Sequence, residues 1–571
     1  MFSNRRRAIA RVSAAVLALA LSGAWPGSFD SSASAASPGL ALIKGGELRD
    51  WLSYIASDEL EGRATYSAGL GLAAAYIQDH LRAWGVKPAG DGGSYLQTVS
   101  VLGVRSTNRS SVIVQVGGQS RTFRDGEGVT FPRYAGGPRR FTVSRVEFAG
   151  YGLDVPTIDH TDLRGKDLKG AAVVWLGQNG PRGLDSRLFR MLDSYRDRYV
   201  TDGLQAAAII GPERPPSRPG TGSASGDAAS RTGQGAAVDF TTTRRLDLPR
   251  APALTGSDGF YAFLFSRAPV TYSDLKRRAD AQEPLPSFAL NGVALTFTID
   301  VDYQVVRTQL TQNVVGLVEG ADPQLKSTYV AFGAHYDHLG YSEGEPSPNG
   351  AVPPPPFGRP GTGPAGDRIW NGADDDGSGT VAVMELAHAF AAGPRPKRSL
   401  LFIWHAGEEL GTYGSLYFVD HPTVPLDRIV AQLNIDMIGR NRDDDPAQSN
   451  TVYLVGSDRI STELDQIARE ADRGLPSPLT LDYEMNDLSD PEQIYYRSDH
   501  YSYAAKGIPI IFFTTGLHAD YHASSDEVPK ILFDKLERIT GLVYETGARL
   551  ANLDHPPARD NRGPRAGTGT R

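Results

Sequence analysis

The chain has 571 residues, of which 40% are hydrophobic and 22% are charged, a composition typical of globular proteins. This length exceeds what one hydrophobic core usually organises, so we expect two or three folded units. The formal net charge of −8 excludes a general polyanion binder, and we expect no nucleic-acid partner. Cysteine is absent, which excludes cysteine nucleophiles, thiolate metal sites, disulfides and cysteine-linked lipids.

Residues 1–35 have the organisation of an export signal. Basic residues occupy the start, an apolar run covers Val12 to Trp25, and small residues end in Ala-Ser-Ala at 33–35. A basic start, a short apolar run and an Ala-x-Ala site are typical of a cleaved secretory signal. The run is short for a membrane span, and a retained anchor helix is the alternative. We expect an exported protein, periplasmic or extracellular, with no stable membrane insertion after cleavage.

The first half of the chain has a mixed pattern. Apolar residues at helical spacing predict two helices between Glu47 and Trp84, separated by a polar turn at 57–63. The segment 214–235 is rich in Pro, Gly, Ser and Ala, which predicts a disordered loop. Apolar runs of strand type occur at 111–116, 141–148, 171–176 and 206–210.

From Asn313 onward, buried-strand runs alternate with helical segments. This alternation predicts an α/β fold with a mostly parallel sheet covered by helices on both faces. In such sheets ligands bind beyond the carboxyl ends of the strands. The last residues, from Pro556, are expected to form a loose tail. Strands are predicted at 314–318, 329–332, 399–404, 430–435, 451–455 and 508–514, and helices at 379–391, 461–473 and 533–550.

Potential metal ligands follow several of these strands. Two imidazoles and several carboxylates, without thiolates, suit a divalent ion such as Zn, Mn or Co. Two cations would need a bridging carboxylate, and adjacent glutamates could divide metal binding from proton transfer. A solvated or structural role is the alternative for each residue taken singly. The candidates are His335, Asp337, the run Asp374–Asp376, Glu408, Glu409, Asp436 and His522.

The candidates lie in five short sequence motifs, and the order of these motifs along the chain is informative. They are Ala334-His335-Tyr336-Asp337, the run Gly372–Gly379, Gly407-Glu408-Glu409, Asn434-Ile435-Asp436-Met437 and the run Tyr521–Glu527. In this order the chain resembles the di-zinc aminopeptidases, co-catalytic zinc exopeptidases related to the glutamate carboxypeptidases, the glutaminyl cyclases and the transferrin receptor. The resemblance covers roughly 320–550 and implies the zinc-exopeptidase fold, a mostly parallel mixed sheet sandwiched by helices.

The resemblance also implies a ligand set for two Zn²⁺ ions, with Mn²⁺ or Co²⁺ as alternatives. His518 competes with His522, but the Tyr-His pair followed by an Asp-Glu pair favours His522. The implied ligands are Asp375 as the bridging carboxylate, His335 and Asp436 on one metal, and Glu409 and His522 on the other.

Four further residues receive roles from the resemblance. Glu408 becomes the general base, which takes a proton from a water bridging the two ions and passes it to the leaving amine. Asp337 is expected to orient the imidazole of His335. Tyr521 matches a tyrosine that donates to the oxyanion, with simple packing as the alternative. Arg497 begins a segment that helps to receive the free amino group of the substrate, with a rim salt bridge as the alternative.

The region 141–298 resembles a protease-associated domain, a small β-rich insert without catalytic residues of its own. The resemblance lies in Phe148–Gly152, Leu168–Val174 and Ala206–Ile210. The Pro/Gly-rich stretch 341–369 is expected at the active-site rim, where it could narrow the pocket or form a surface loop. The expected domains are a signal peptide at 1–35, the N-terminal part of the peptidase domain at 36–140, the insert at 141–298, the catalytic domain at 299–555 and a disordered tail at 556–571.

The expected function is an exported aminopeptidase that acts on peptides. A carboxypeptidase of the glutamate-carboxypeptidase type would need a cluster of arginines, and only Arg440, Arg442 and Arg497 lie near the site strings. A glutaminyl cyclase works with one metal, and a non-catalytic receptor would lack ligands. A serine hydrolase is disfavoured because no helix follows the Gly-x-Ser-x-Gly match at Ser342. The sequence makes no prediction about side-chain preference or oligomeric state.

Overall fold

A computed structural model describes residues 37–155, 158–184, 186–213, 238–242, 246, 248–345, 352–364, 366–487, 490 and 492–560. The predicted export signal, the 214–235 loop and most of the predicted tail lie outside the described residues. Within the described part of the chain, no helix combines the length and apolarity needed to cross a bilayer.

Among the described residues, five α-helices lie close to the predicted segments and five others were not predicted; several begin at a serine whose hydroxyl accepts a main-chain amide. Ser67 accepts from the amide of Leu70, and Ser461 from that of Leu464. The helices are α1 (Gly45–Ile55), α2 (Ala68–Ala83), α3 (Ser186–Arg198), α4 (Asp258–Leu264), α5 (Tyr272–Asp280), α6 (Gly379–Ala392), α7 (Tyr413–Asp420), α8 (Thr462–Arg473), α9 (His500–Ala504) and α10 (Phe533–Asn552).

The strands form two large sheets and two small ones. They are β1 (Lys87–Pro88), β2 (Leu96–Asn108), β3 (Ser111–Val116), β4 (Gln119–Asp125), β5 (Gly128–Thr130), β6 (Arg139–Val143), β7 (Val146–Ala149), β8 (Asp154–Val155), β9 (His160–Thr161), β10 (Ala172–Val174), β11 (Ala208–Pro212), β12 (Asp239–Thr242), β13 (Ala253–Gly256), β14 (Ser287–Ala289), β15 (Val293–Ile299), β16 (Val301–Val318), β17 (Tyr329–His335), β18 (Gly340–Tyr341), β19 (Ile369–Trp370), β20 (Ser399–His405), β21 (Ile429–Ile435), β22 (Thr451–Val455), β23 (Thr480–Asp482) and β24 (Ile510–Thr514).

The central sheet has the order β12-β2-β16-β20-β17-β21-β24-β22-β23, with β1 paired to β16. The four strands β20, β17, β21 and β24 are parallel, whereas β16 and β22 join them antiparallel. The predicted α/β class with a mixed sheet is confirmed, with parallel pairing concentrated in these four strands. Their carboxyl ends are in register, because His335 pairs with His405 and Ile435 pairs with Phe513.

Both faces of the central sheet are buried. Alternate residues of β17 and β20 divide between two cores: Phe332 and Phe402 pack towards α6 and α10, whereas Leu401 and Ile403 pack towards α7 and α9. A strand that is apolar at every position can satisfy both faces at once. This explains why the parallel strands read as continuous apolar runs in the sequence.

The second large sheet belongs to an insert between β2 and β16. Its order is β14-β7-β10-β11-β13-β5-β4-β3-β15-β6, and it has its own hydrophobic core. This sheet begins before the expected boundary at 141, because β3 pairs antiparallel with β15. The two ends of the insert are neighbours, since Asn108 pairs with Val301 in the β2–β16 ladder.

Candidate active site

The five implied metal ligands converge at the carboxyl edge of the central sheet. His335 is the last residue of β17, and Asp436 directly follows β21. Glu409 lies in the loop after β20, Asp375 in the turn before α6, and His522 in the loop after β24. His335 and Asp375 thus belong to the connection between β17 and β20, the other three ligands come from three further connections, and the parallel register of the strands brings the loops together.

The carboxylate of Asp375 lies between two histidines. The Nε2 atom of His335 is 3.3 Å from Asp375 Oδ1 and 3.7 Å from Asp436 Oδ1. The Nε2 atom of His522 is 3.2 Å from the other oxygen, Asp375 Oδ2, and 3.1 Å from Glu409 Oε2. The two oxygens of Asp375 thus face two separate groups of ligand atoms, which is the arrangement that a bridging carboxylate needs.

The three consecutive aspartates have different partners. Asp374 accepts the main-chain amide of Gly439 at 2.6 Å, and Asp376 accepts those of His335 and Gly379 at 3.1 and 2.9 Å. Of the three, Asp375 is the one that faces both His335 and His522. Its own amide donates to the buried carboxylate of Asp526 at 3.1 Å.

Gly372 allows the turn before α6 to approach the site closely. Its φ of +56° is one that glycine adopts without strain. A Cβ atom here would lie 2.2 Å from the Asp375 carbonyl and 2.5 Å from the His338 ring. No other residue type fits this position without displacing the chain.

Glu408 lines the same cavity as His335, Asp375 and Asp436 without belonging to the ligand groups. Burial raises the pKa of its carboxyl well above the ordinary range; His335 opposes this shift, and the neighbouring Glu409 adds to it. A carboxylate with a raised pKa holds a proton more readily, which suits an acceptor and carrier of protons.

Asp337 contacts His335 mainly through its backbone. Its carbonyl oxygen is 3.1 Å from His335 Nδ1, whereas its carboxylate is 3.8 Å away. The carboxylate instead accepts from the Thr65 hydroxyl at 2.8 Å and from the Glu408 amide at 3.2 Å. Asp337 therefore orients His335 by its carbonyl and fixes the loop of Glu408 by its side chain.

Tyr521 and Arg497 both line the cavity. The Tyr521 ring stacks on His522 with centroids 3.9 Å apart, and burial raises the pKa of its hydroxyl to about 12. Arg497 donates to Glu492 at 2.9 Å and also interacts with the side chain of Tyr521.

Two other histidines near the site have different contacts. His518, the competitor of His522, faces Asp374 at 3.3 Å. His338 was not among the implied ligands, yet its Nδ1 lies 2.8 Å from Glu409 Oε1 and its side chain is fully buried. Its position three residues after His335, at the same strand end, is the signal that could have identified it.

Much of the remaining cavity wall is apolar, with Ser498 and Thr514 as polar members, and the insert contacts a segment that contributes to this wall. Apolar side chains on this wall come from Met437, Met485, Ile494, Phe512 and Leu517. Arg198 of α3 donates to the carbonyl of Tyr496 at 3.3 Å, and the Tyr501 hydroxyl donates to Asp202 at 2.8 Å. The insert therefore packs on the segment that carries Ile494 and Arg497.

The residues fit two divalent cations. Asp375 Oδ2 and Glu409 Oε1 are both buried, and each lies beside an imidazole nitrogen, that of His522 at 3.2 Å and that of His338 at 2.8 Å. Three carboxylates and two imidazoles in close proximity are ligand types that zinc and similar ions prefer. His335, Asp375 and Asp436 would hold one ion, and Asp375, Glu409 and His522 the other. The nitrogen of His338 that faces Glu409 would support the second group.

Comparison with known proteins gives consistent matches. The model of Peptidase family M28 matches residues 313–546. The chain is 33% identical over 168 residues to "Leupeptin-inactivating enzyme 1" of Streptomyces exfoliatus, covering 29% of this chain and 34% of that protein. It is 27% identical over 185 residues to "Aminopeptidase YwaD" of Bacillus subtilis, covering 30% of this chain and 37% of that protein. The matched segments thus span about a third of the length of these two relatives.

A solved structure also aligns along most of the chain. The aminopeptidase from Aneurinibacillus sp. strain AM-1 aligns with a TM-score of 0.43 and 16% identity, over 92% of this chain and 98% of that one.

Proposed function

Because residues 313–546 form a domain of Peptidase family M28, we propose that the protein is an exported di-zinc aminopeptidase that releases N-terminal residues from peptides. The observation that carries the proposal is Asp375, whose two oxygens face His335 and His522 at 3.3 and 3.2 Å, with Glu408 beside them. The relatives named as aminopeptidases support it.

The residues of the chain divide the reaction among them. Two bound cations would polarise the scissile carbonyl and lower the pKa of a shared water. Glu408 would take a proton from the attacking water and return it to the leaving amine, a role for which its raised pKa is suited. The Tyr521 hydroxyl donates to the oxygen on which negative charge develops. The carboxylate of Asp337 accepts from the main-chain amide of Glu408 and so keeps Glu408 in place.

The charges near the site favour a free amine over a free carboxylate. The three arginines considered from the sequence already face carboxylates: Arg497 faces Glu492, Arg440 faces Asp444 and Asp520, and Arg442 faces Asp443 and Glu484. A carboxypeptidase would need a cation available for the substrate. Glu408 and Asp436 instead offer carboxylates to an ammonium group, and the apolar wall suits an apolar N-terminal side chain.

The proposal is tested on leucine p-nitroanilide and on its N-acetylated counterpart. We expect hydrolysis of the free-amine substrate only, and its loss on chelation. Glu408→Gln should lower kcat by about 10²–10⁴-fold, because it removes the proton acceptor. The two-metal content, measured by elemental analysis, should be unchanged. Glu319→Gln is the matched control, since Glu319 follows β16 at the opposite edge of the sheet.

The alternatives give different products. Cleavage of N-blocked peptides from the carboxyl end would move the protein to the carboxypeptidases, and conversion of N-terminal glutamine to pyroglutamate would indicate a cyclase. Full activity in Glu408→Gln would contradict the proposed base.

We also propose that residues 1–35 direct export and that the insert is a protease-associated domain. The basic-apolar-small pattern supports export, and the separate β-rich core supports the domain. N-terminal sequencing of protein recovered from the periplasm or the medium should begin after Ala35.

A further inference from the structure

Residues 352–364, which we call the rim segment, lie against the loop that carries His522. The main-chain amide of Arg359 donates to the His522 carbonyl at 2.7 Å. In the opposite direction, His522 Nδ1 lies 3.1 Å from the carbonyl of Phe357. The rim segment therefore contacts both the backbone and the ring of His522.

The contact at the ring sets the chemistry of His522. A carbonyl oxygen only accepts, so Nδ1 must carry the proton, and the lone pair lies on Nε2. That nitrogen is the one that faces Asp375 and Glu409. His335 obtains the same orientation from the carbonyl of Asp337 on its own strand end. For His522, by contrast, the carbonyl comes from Phe357, which is 165 residues away in the chain.

The backbone at this contact is held in an unfavourable conformation. Phe357 has φ +70° and His522 has φ +58°, and neither is glycine. Left-handed conformations of such residues are unfavourable and persist where surrounding contacts fix them. The paired hydrogen bonds between the two segments are the contacts that do so here.

The side chain of Arg359 makes further contacts between the rim segment and the loop that carries His522. Its Nε donates to the carbonyl of Tyr521 at 2.8 Å, and Nη2 donates to that carbonyl and, at 3.2 Å, to Ala519. Its own carbonyl accepts from the indole of Trp370, whose side chain is buried, at 3.1 Å. Arg359 thus joins the loop that carries His522 to the buried Trp370.

We propose that the rim segment is a positioning element for the second metal site, with Arg359 as its positioning residue. This inference rests on the proposed two-metal function. Affinity for the cation held by His522 and Glu409 then depends on the rim segment, whereas affinity for the cation held by His335 and Asp436 does not. Groups that orient metal ligands in this way typically change metal affinity by about 10–100-fold.

Titration of metal-free protein with Co²⁺, followed by visible absorption, tests the inference. Wild type should bind two equivalents. Arg359→Ala should bind one equivalent with unchanged affinity and the other about 10–100-fold more weakly. Arg359→Lys should recover part of the loss, because one ammonium can still donate to Tyr521. Arg368→Ala is the matched control, since Arg368 lies beyond the rim segment and contacts the Ser342 carbonyl.

Two affinities equal to those of wild type in Arg359→Ala would overturn the inference, as would equal weakening of both equivalents. Uptake of fewer than two equivalents by wild type would count against the proposed function itself. Circular dichroism of each variant separates loss of folding from loss of metal, and Arg359→Lys repeats the comparison with the positive charge retained.

Discussion

The guanidinium of Arg63 shows how a single residue outside the ligand set supports the site. It is 1% exposed and donates to the carbonyls of Ile55 at 2.5 Å, Tyr336 at 3.1 Å, Asn371 at 2.7 Å and Gly372 at 3.0 Å. Two of these carbonyls precede Asp375 in the chain, and one follows His335. Arg63 therefore joins two ligand-bearing segments to the N-terminal helices.

Replacing Arg63 by Met should destabilise the protein by about 3–5 kcal/mol. The change leaves buried carbonyls without donors and removes the cation beside the carboxylates of Asp337, Asp376 and Asp375. Unfolding in urea measures the loss. Arg82→Met serves as the control, because Arg82 is exposed and its pair with Asp79 should contribute under about 1 kcal/mol. A loss below about 1 kcal/mol for Arg63→Met would contradict this role.

The residue types of the site could be predicted from the sequence, but some of their contacts could not. The choice among Asp374, Asp375 and Asp376 depends on amides that belong to distant loops, and spacing alone leaves it open. The contact between His338 and Glu409 has the same origin. Ligand type is local information, whereas hydrogen-bond partners across loops are set by tertiary packing.

At the scale of elements, α6 carries a buried glutamate that faces α1. Glu385 accepts the amide of Lys44 at 2.7 Å and lies beside Glu47 and near Glu537. Burial is the main cause that raises the pKa of Glu385 to about 8, and the two neighbouring carboxylates contribute. His388, one turn further along α6, contacts Glu47 at 3.2 Å.

This glutamate should make stability fall as the pH rises. Between pH 4.5, the ordinary pKa of a glutamate, and about pH 8, the unfolded chain releases a proton that the folded chain retains. Unfolding is therefore favoured increasingly across that window. The fall in Tm between pH 5 and pH 8 should be smaller in Glu385→Gln than in wild type. Glu470→Gln, on the exposed face of α8, should behave as wild type, and equal falls in all three proteins would contradict the prediction.

Strands that are buried throughout and helices with one regular apolar face could be predicted closely. The strand predicted at 451–455 is Thr451–Val455, and the helix predicted at 461–473 is Thr462–Arg473. The strand predicted at 314–318 is the end of the longer Val301–Val318, whose first half is largely exposed and lacks an apolar run. Its partner, Leu96–Asn108, was not predicted. Polar residues such as Thr98 and Ser100 separate the apolar residues of this strand, so it lacks the continuous apolar run by which the buried strands were predicted.

At the scale of the whole molecule, metal binding should contribute to global stability. The site gathers buried carboxylates from several crossovers, and bound cations would oppose their mutual repulsion. Cations that bind only the folded state at 1,000 times their Kd stabilise it by about 4 kcal/mol per site. Thermal unfolding with Zn²⁺ should give a higher Tm than unfolding with chelator. Asp375→Asn should lose most of this difference, whereas an equal difference in both proteins would contradict the shared-ligand geometry.

The position of the insert in the chain has a consequence for how such a protein can change over generations. Because Asn108 and Val301 are paired neighbours, the two ends of the insert meet at one point of the central sheet, and the one insert strand that joins this sheet, β12, pairs with β2 at its edge. A segment whose ends meet in this way can be gained, lost or exchanged by one recombination event without a break in the sheet. All five implied ligands lie on one side of that junction, at His335 and beyond. Heritable variation in the insert can therefore reshape the outer wall of the pocket while the metal-binding residues stay untouched.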